Sequence, residues 1–85
     1  MYLHLGQNTV ITTDDIVGIF DIDGTTVQKN TRDFLSKAEK NGNVVYVSAE
    51  LPKSFIVCKD EKVYISQISP ATLLLRSEKN YLKNV

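Results

Sequence analysis

The sequence contains one cysteine, Cys58, and no tryptophan. A single thiol excludes a disulfide within the chain and a zinc site built from cysteines. No apolar segment approaches the roughly 20 residues of a membrane-spanning helix. The first residues also lack the basic and apolar regions of a signal peptide. We therefore expect a cytoplasmic protein in which Cys58 is a buried thiol within the apolar run Phe55–Cys58.

The chain also lacks net charge, because ten basic residues balance ten acidic ones. Zero net charge is unusual for a protein that binds nucleic acid. The charges are unevenly distributed, since residues 1–28 contain four aspartates and no lysine or arginine. All ten basic residues lie in 29–85. A local basic surface on a neutral protein can still bind phosphates, so the composition leaves this function open.

Short apolar runs separated by turn residues predict an α+β fold, a small antiparallel β-sheet domain with one central helix and a short C-terminal helix. The 85 residues are enough for one domain, which we place at 1–76, with a polar C-terminal tail at 77–85. The predicted strands are 2–5, 9–12, 16–22, 44–47, 54–59 and 62–66. The predicted helices are 31–40, which ends before Asn41-Gly42, and a second that begins at Ser69-Pro70.

Three of the later strands are apolar on both faces, namely Val44–Val47, Phe55–Cys58 and Val63–Ile65. An antiparallel strand with one face in water should instead alternate apolar and polar residues. One central helix can hardly cover both faces of such a sheet. The pattern therefore predicts that one face packs against another subunit, with coverage by the last helix as the alternative.

The string from Phe20 to Val27 contains Asp21-Ile22-Asp23-Gly24-Thr25 at the end of an apolar strand. It resembles the first motif of the haloacid-dehalogenase phosphatases, in which the first aspartate is the nucleophile and the pair binds magnesium. The resemblance covers about eight residues, and the chain is too short for that family's doubly wound sheet. A magnesium-dependent phosphatase acting through Asp21 and Asp23 is thus a remote alternative to an ordinary turn.

No other set of residues suggests catalysis. The single histidine, His4, has no evident carboxylate and nucleophile to act with, so we expect it on a strand face. None of the four glycines forms a phosphate-binding loop. The sequence predicts a protein that is not an enzyme and that needs no cofactor or metal.

Basic residues cluster on or just before the first helix, at Lys29, Arg32, Lys37 and Lys40. Arg32 and Lys40 are eight residues apart, or about two turns, so they share a side of the helix. Lys53 lies in the loop before a strand, and Arg76 lies near the end of the chain. These residues are candidate phosphate contacts, and ordinary solvated charges are the alternative.

Four segments carry a resemblance to a known family, and together they extend over most of the chain. They are Met1–Gly6, Ile16–Asp21, Lys53–Val57 and Val63–Leu73. In their order and spacing they resemble the small Rem family of extracellular-matrix regulators from Gram-positive bacteria. The resemblance implies a DNA-binding transcriptional regulator of biofilm-matrix genes, assembled as a ring-shaped homo-oligomer that presents basic residues along its rim to double-stranded DNA.

The family's basic positions that match here are Arg32, Lys40 and Lys53, and we add Lys29 and Arg76 as candidate DNA-binding residues. The chain departs from the better-known branch of the family, which has arginine at the position of Asp15. That branch also has two arginines at the positions of Glu50 and Leu51. These departures keep a second hypothesis open, in which the protein is a scaffold or interaction module that joins a ring or contacts another regulator.

Overall fold

The computed structural model describes residues 2–22 and 29–83, with side chains for 2–22 and 31–77. Six strands, one short 3-10 turn and two helices follow one another along this part of the chain. They are β1 (Tyr2–Gly6), β2 (Thr9–Thr12), the 3-10 turn Thr13–Asp15, β3 (Ile16–Asp21), α1 (Lys29–Lys40), β4 (Val44–Tyr46), β5 (Ser54–Cys58), β6 (Val63–Ser66) and α2 (Pro70–Lys83).

The described strands form a hairpin, β1–β2, and a four-stranded sheet with the order β3-β5-β6-β4. All pairs are antiparallel except β4–β6, which is parallel. This exception arises because α1 crosses over the sheet between β3 and β4, and a crossover connection makes the strands that it joins parallel. β6 also runs parallel to β3, since both are antiparallel to β5, and β4 is therefore parallel to β6. The predicted α+β class is confirmed, and the sheets are mostly antiparallel.

Helix α1 covers one face of the four-stranded sheet. Leu35 and Ala38 lie on its inner side and pack with Phe55, Val63 and Ile65 of the central strands. Asn43 ends the connection from the helix, because its N–H donates to the Ala38 carbonyl (2.9 Å) and its carbonyl accepts from Val63 N–H (2.9 Å). The C-terminal end of α1 is therefore fixed where β4 and β6 begin.

The opposite face of the sheet is covered by the β1–β2 hairpin together with α2. Leu3 and Leu5 of the hairpin, Ile56 of β5 and Leu73 of α2 are fully buried in this second core. The central strands of the described sheet are thus covered on both faces within the chain, while Val17, Phe20 and Tyr46 of the edge strands stay exposed. The last helix covers this face together with the hairpin, as in the alternative predicted from the sequence, while packing against another subunit stays a prediction.

Helix α2 begins as the sequence predicted, with Ser69 as its N-cap and Pro70 in the first turn. The Ser69 hydroxyl oxygen accepts from the Thr72 N–H at 3.3 Å, which satisfies one of the free donors at the helix start. The backbone stays helical through Lys83, beyond the predicted start of the polar tail at Ser77. No helix in the described ranges is long and apolar enough to cross a membrane.

Candidate functional site

The two ends of the four-stranded sheet carry different side chains. We call the end where β5 begins, with Ile22, Lys53 and Ser66, the Lys53 end. We call the other the Cys58 end; there β3 and β4 begin, since Ile16 pairs with Cys58 and Val44 with Val63. The twelve residues of α1 span about 18 Å, at 1.5 Å per residue. Because the helix ends at the Cys58 end, its first turn lies toward the Lys53 end.

The structure therefore separates the basic residues that the sequence grouped together. Arg32, exposed in the first turn of α1, lies toward the Lys53 end, as does the exposed Lys53. Lys40 is also exposed, but it lies in the last turn of α1 at the Cys58 end. Arg32 and Lys40 are separated by about 12 Å along the helix axis, from 1.5 Å per residue.

Lys53 is held by its backbone at the junction of two strands. Its N–H donates to the Ser66 carbonyl at 2.8 Å, and its carbonyl accepts from the Ile22 N–H at 3.1 Å. These bonds fix the stem of the side chain while the ammonium remains in solvent. A charge on such a rigid base contacts a phosphate with less loss of backbone entropy than a charge on a free loop.

Two further candidates differ from this arrangement. Arg76 is half-buried, and its Nη1 donates to the His4 carbonyl at 3.2 Å, so its side chain fastens α2 to β1. An arginine with this internal partner is less available to a phosphate than Arg32 or Lys53. The side chain of Lys29 lies outside the described part of the structure, so that candidate remains a prediction from sequence alone.

The acidic departures from the family pattern are exposed, and they lie at different ends of the sheet. Asp15 immediately precedes β3 at the Cys58 end, where its carbonyl accepts from Lys59 N–H at 2.8 Å. Glu50 lies in the loop that leads to Lys53, and its N–H donates to the Ser48 hydroxyl at 3.1 Å. Leu51, in the same loop, is 76% exposed. Of the two carboxylates, only Glu50 is near Lys53 in the chain.

The aspartate pair of the phosphatase alternative falls only partly within the structure. Asp21 is exposed at the end of β3, and Asp23 lies outside the described residues. Within the described ranges, no three His, Cys, Asp or Glu side chains come together as a metal site. His4 is exposed on β1, and its Nε2 lies 2.7 Å from the Gln7 carbonyl oxygen. The phosphatase alternative stays a prediction that these contacts do not support.

An apolar groove that was not predicted from the sequence lies between β3 and α1. Six residues line it and enclose about 330 Å³; they are Val17, Phe20, Thr31, Phe34, Phe55 and Val57. We call this feature the β3–α1 groove. The sequence feature that marks this groove is the pair of large apolar residues, Val17 and Phe20, on either side of Gly18. In the structure these residues lie on a strand that has a neighbour on one side only. The groove was not predicted because strand order is not evident in the sequence.

Cys58 is only 5% exposed and belongs to the core beneath the hairpin, as the sequence predicted. Burial raises the pKa of the thiol, and the charges of Asp60 and Asp15 raise it further, while Lys62 opposes them. The thiol therefore stays protonated to a higher pH in the folded chain than in the unfolded one. Since thiolate is the nucleophile, this environment makes Cys58 unreactive.

We expect Cys58 to react with a disulfide reagent at pH 7 at least about 100-fold more slowly in the folded chain than in urea, because reaction requires local opening.

The stability of the fold should also decrease as the pH rises above about 8.5, the pKa of the thiol in the unfolded chain, since the unfolded state then loses its proton first. Thiol-release kinetics and urea melts at two pH values measure both effects. Equal reaction rates with and without urea would contradict the expected protection of the thiol. If Cys58→Ala loses as much stability at high pH as the unaltered chain, the thiol is not the cause of that loss.

Comparison with known proteins agrees with the resemblance seen in the sequence. Residues 2–76 match the model of the RemA-like family, described as extracellular matrix regulatory protein A-like. The chain is also 38% identical over 78 residues to extracellular matrix regulatory protein B of Bacillus subtilis (strain 168), which covers 92% of this chain and 91% of that protein. The match extends from β1 into α2 and includes both ends of the sheet. The chain belongs to the RemA-like family.

Proposed function

We propose that this protein is a transcriptional regulator of extracellular-matrix genes that binds double-stranded DNA as a ring-shaped homo-oligomer. Membership of the RemA-like family and the similarity to extracellular matrix regulatory protein B support the regulatory role. The protein acts in the cytoplasm by binding rather than by catalysis, and it needs no cofactor. Lys53 and Arg32 are the residues to which we assign DNA contact.

The observation that carries this proposal is the pair of exposed cations, Arg32 and Lys53, toward one end of a rigid sheet. Two cations per chain give weak phosphate binding by themselves. In a ring, each copy presents the same pair along one rim, so several weak contacts act on one DNA molecule at high effective concentration. Lys40 lies at the opposite end of the sheet and does not share this rim.

A second candidate function is a scaffold module that joins the assembly or contacts another regulator without binding DNA. It is favoured by the loop before Lys53, in which Glu50 adds a negative charge and Leu51 exposes 76% of its surface. A carboxylate beside the rim weakens attraction to phosphate, while an exposed leucine suits a protein partner. DNA binding distinguishes the two functions directly.

We expect the intact oligomer to retain long duplex DNA at about 50 mM salt and to lose at least about tenfold in affinity at about 200 mM, because phosphate contacts release counterions. A gel shift or fluorescence anisotropy titration measures this change. Absence of binding at both salt concentrations, with the oligomer intact, would contradict the proposal and favour the scaffold.

Alanine variants test the assignment of the rim. Arg32→Ala and Lys53→Ala should each weaken binding and reduce its salt slope by about one for every copy that contacts DNA. Lys62→Ala is the matched control, since Lys62 is also exposed but lies at the Cys58 end. Lys40→Ala should resemble this control. A loss with Lys40→Ala equal to that with Lys53→Ala would show that the contacts are not confined to one end.

A further inference from the structure

We infer that the β4 edge of one copy packs into the β3–α1 groove of the next, with Tyr46 as its central side chain. The inference rests on the proposed homo-oligomer and names the surfaces that would form it. It concerns two edges of the same sheet, so each copy contributes one surface to each of two neighbours. Contacts of this kind are heterologous and continue head to tail until they close.

Both edge strands of the described four-stranded sheet lack a partner on their outer side. β3 and β4 stand at the two ends of the strand order, and each pairs with a single neighbour. Proteins commonly protect such edges with lysine or proline, yet Ile16–Asp21 contains neither. Val44–Tyr46 also contains neither. β4 is only three residues long and β3 has a register shift between Ile16 and Gly18, so the contact that we infer is made by side chains at these edges and not by an added strand.

The β3–α1 groove exposes apolar surface at the first of these edges. Val17 is 65% exposed, Phe20 46% and Phe34 44%, although each lines the same cavity. The Phe20 ring stacks on Phe55 with 5.0 Å between centroids. It also lies over Gly18, where an added Cβ would come within 2.7 Å of the ring. Gly18 therefore gives the Phe20 ring the space to form one wall of the groove.

The β4 edge presents a matching side chain on the same face of the sheet. Tyr46 is 61% exposed, and its hydroxyl donates to Glu39 Oε1 of α1 at 3.2 Å. That bond shows that Tyr46 points to the α1 face, which is also the face of the groove. An aromatic ring with one polar end anchored is well suited to pack beside Phe20 and Phe34 of another copy.

Strand direction and charge agree with the same arrangement. β3 and β4 run in the same direction, since both are parallel to β6 or antiparallel to β5. Copies placed side by side therefore bring the start of one copy's β3 beside the start of the next copy's β4. The exposed Asp14 and Asp15 precede β3, and the exposed Lys40 precedes β4. Opposite charges thus meet at the starts of the two strands, while Glu39, bonded to Tyr46, adds a negative charge farther along the β4 edge.

The test uses one variant for each surface and a matched control. Val17→Asp places a charge in the groove, and Tyr46→Asp places one on the β4 edge. Val10→Asp is the control, because Val10 is also a strand valine and is 53% exposed, but it lies on the hairpin. Light scattering measures the mass of each variant, and circular dichroism verifies that each one folds.

We expect Val17→Asp and Tyr46→Asp to be single chains of 9.6 kDa, while Val10→Asp keeps the mass of the unaltered oligomer. An equimolar mixture of the two variants should give a species of twice the single-chain mass. One intact groove and one intact β4 edge remain in the mixture, and they can form one contact but no continuing assembly. Formation of this dimer would also show that Tyr46→Asp keeps an intact groove, and that loss of the bond to Glu39 has not disrupted the rest of the chain.

The outcomes separate this inference from the proposed function. If the unaltered chain is an oligomer and Tyr46→Asp keeps its mass, the interface is wrong while the ring proposal survives. If both variants are single chains and their mixture shows no doubling, the head-to-tail pairing of these two edges is wrong. If the unaltered chain is itself a single chain at high concentration, both the interface and the ring are wrong. Retention of DNA by the oligomer is measured separately and does not decide the interface.

Discussion

Gly6→Ala is expected to lower the free energy of unfolding by about 3 kcal/mol, since strained backbone conformations cost of order 1–3 kcal/mol and a close contact adds to this. Gly6 ends β1 with φ at +121°, a conformation that side chains with a Cβ rarely adopt. An added Cβ would also come within 2.9 Å of the Gln67 amide, whose Oε1 is buried and has no hydrogen-bond partner. Urea unfolding measures the loss.

Gly42→Ala is the matched control for this prediction. Gly42 follows α1 with φ at +73°, and nothing lies within 4 Å of the Cβ position. Its replacement should cost about 1 kcal/mol, because the left-handed conformation that ends a helix is only moderately strained for alanine. Equal losses for Gly6→Ala and Gly42→Ala would contradict the special role of Gly6.

Gln67→Ala in the Gly6→Ala background divides the loss into its two causes. The double variant relieves the contact with the amide but leaves φ at position 6 unchanged. We expect it to recover less than half of the loss, since a flexible amide can move away from a new methyl group more easily than the backbone can change its φ. Full recovery would show that the contact, and not the backbone conformation, is the main cost.

Local features of the sequence predicted the elements well. The end of α1 follows from Gly42, which has positive φ, and the start of α2 from the Ser69 cap. Strand positions follow from short apolar runs between turns. The parallel pairing of β4 with β6 could not be predicted in this way, because it depends on the path of α1 across the sheet rather than on the three residues of β4.

The candidate site was predicted only in part, for a similar reason. Helical spacing relates Arg32 to Lys40 within α1. It does not give the distance or direction from either residue to Lys53, which lies outside the helix. The start of β5 places Lys53 at one end of the sheet, and the orientation of α1 places Arg32 toward that end and Lys40 at the other. The half-burial of Arg76 depends on the docking of α2 against β1, a contact between residues 72 positions apart in the chain. These arrangements are tertiary and leave no local pattern.

Burial of both sheet faces illustrates the limit of pattern-based inference about assembly. Apolar residues on both faces of β5 correctly predicted that both faces are covered, but could not tell which atoms cover them. The two strands of the hairpin were predicted, but their packing across one face of the four-stranded sheet was not. The surfaces that we propose for contact between copies follow instead from the strand order, which leaves apolar side chains at the β3 and β4 edges.

Ser66→Ala is expected to destabilise the fold by about 2–4 kcal/mol, because a buried group left without a hydrogen bond costs about 1–3 kcal/mol and a partly buried one costs about 1 kcal/mol. Ser66 is fully buried between the hairpin and the four-stranded sheet. Its hydroxyl donates to the Leu5 carbonyl at 2.6 Å and accepts from the Ile68 N–H at 3.0 Å. The substitution leaves both backbone groups without this partner, so urea unfolding should show a large loss of stability.

Two other serines make the prediction specific. Ser54 is equally buried but makes one bond, to the Ile68 carbonyl at 2.7 Å, so Ser54→Ala should cost about half as much as Ser66→Ala. Ser48 accepts its bond from Glu50 N–H at an exposed site, where water can replace the hydroxyl, and Ser48→Ala should cost less than about 1 kcal/mol. Only Ser66→Ala removes a bond to the hairpin, at Leu5, so the largest loss in that variant would show that polar contacts as well as the apolar core hold the hairpin to the sheet. Similar losses in all three variants would contradict this, because the general effect of removing a hydroxyl would then outweigh burial and partner count.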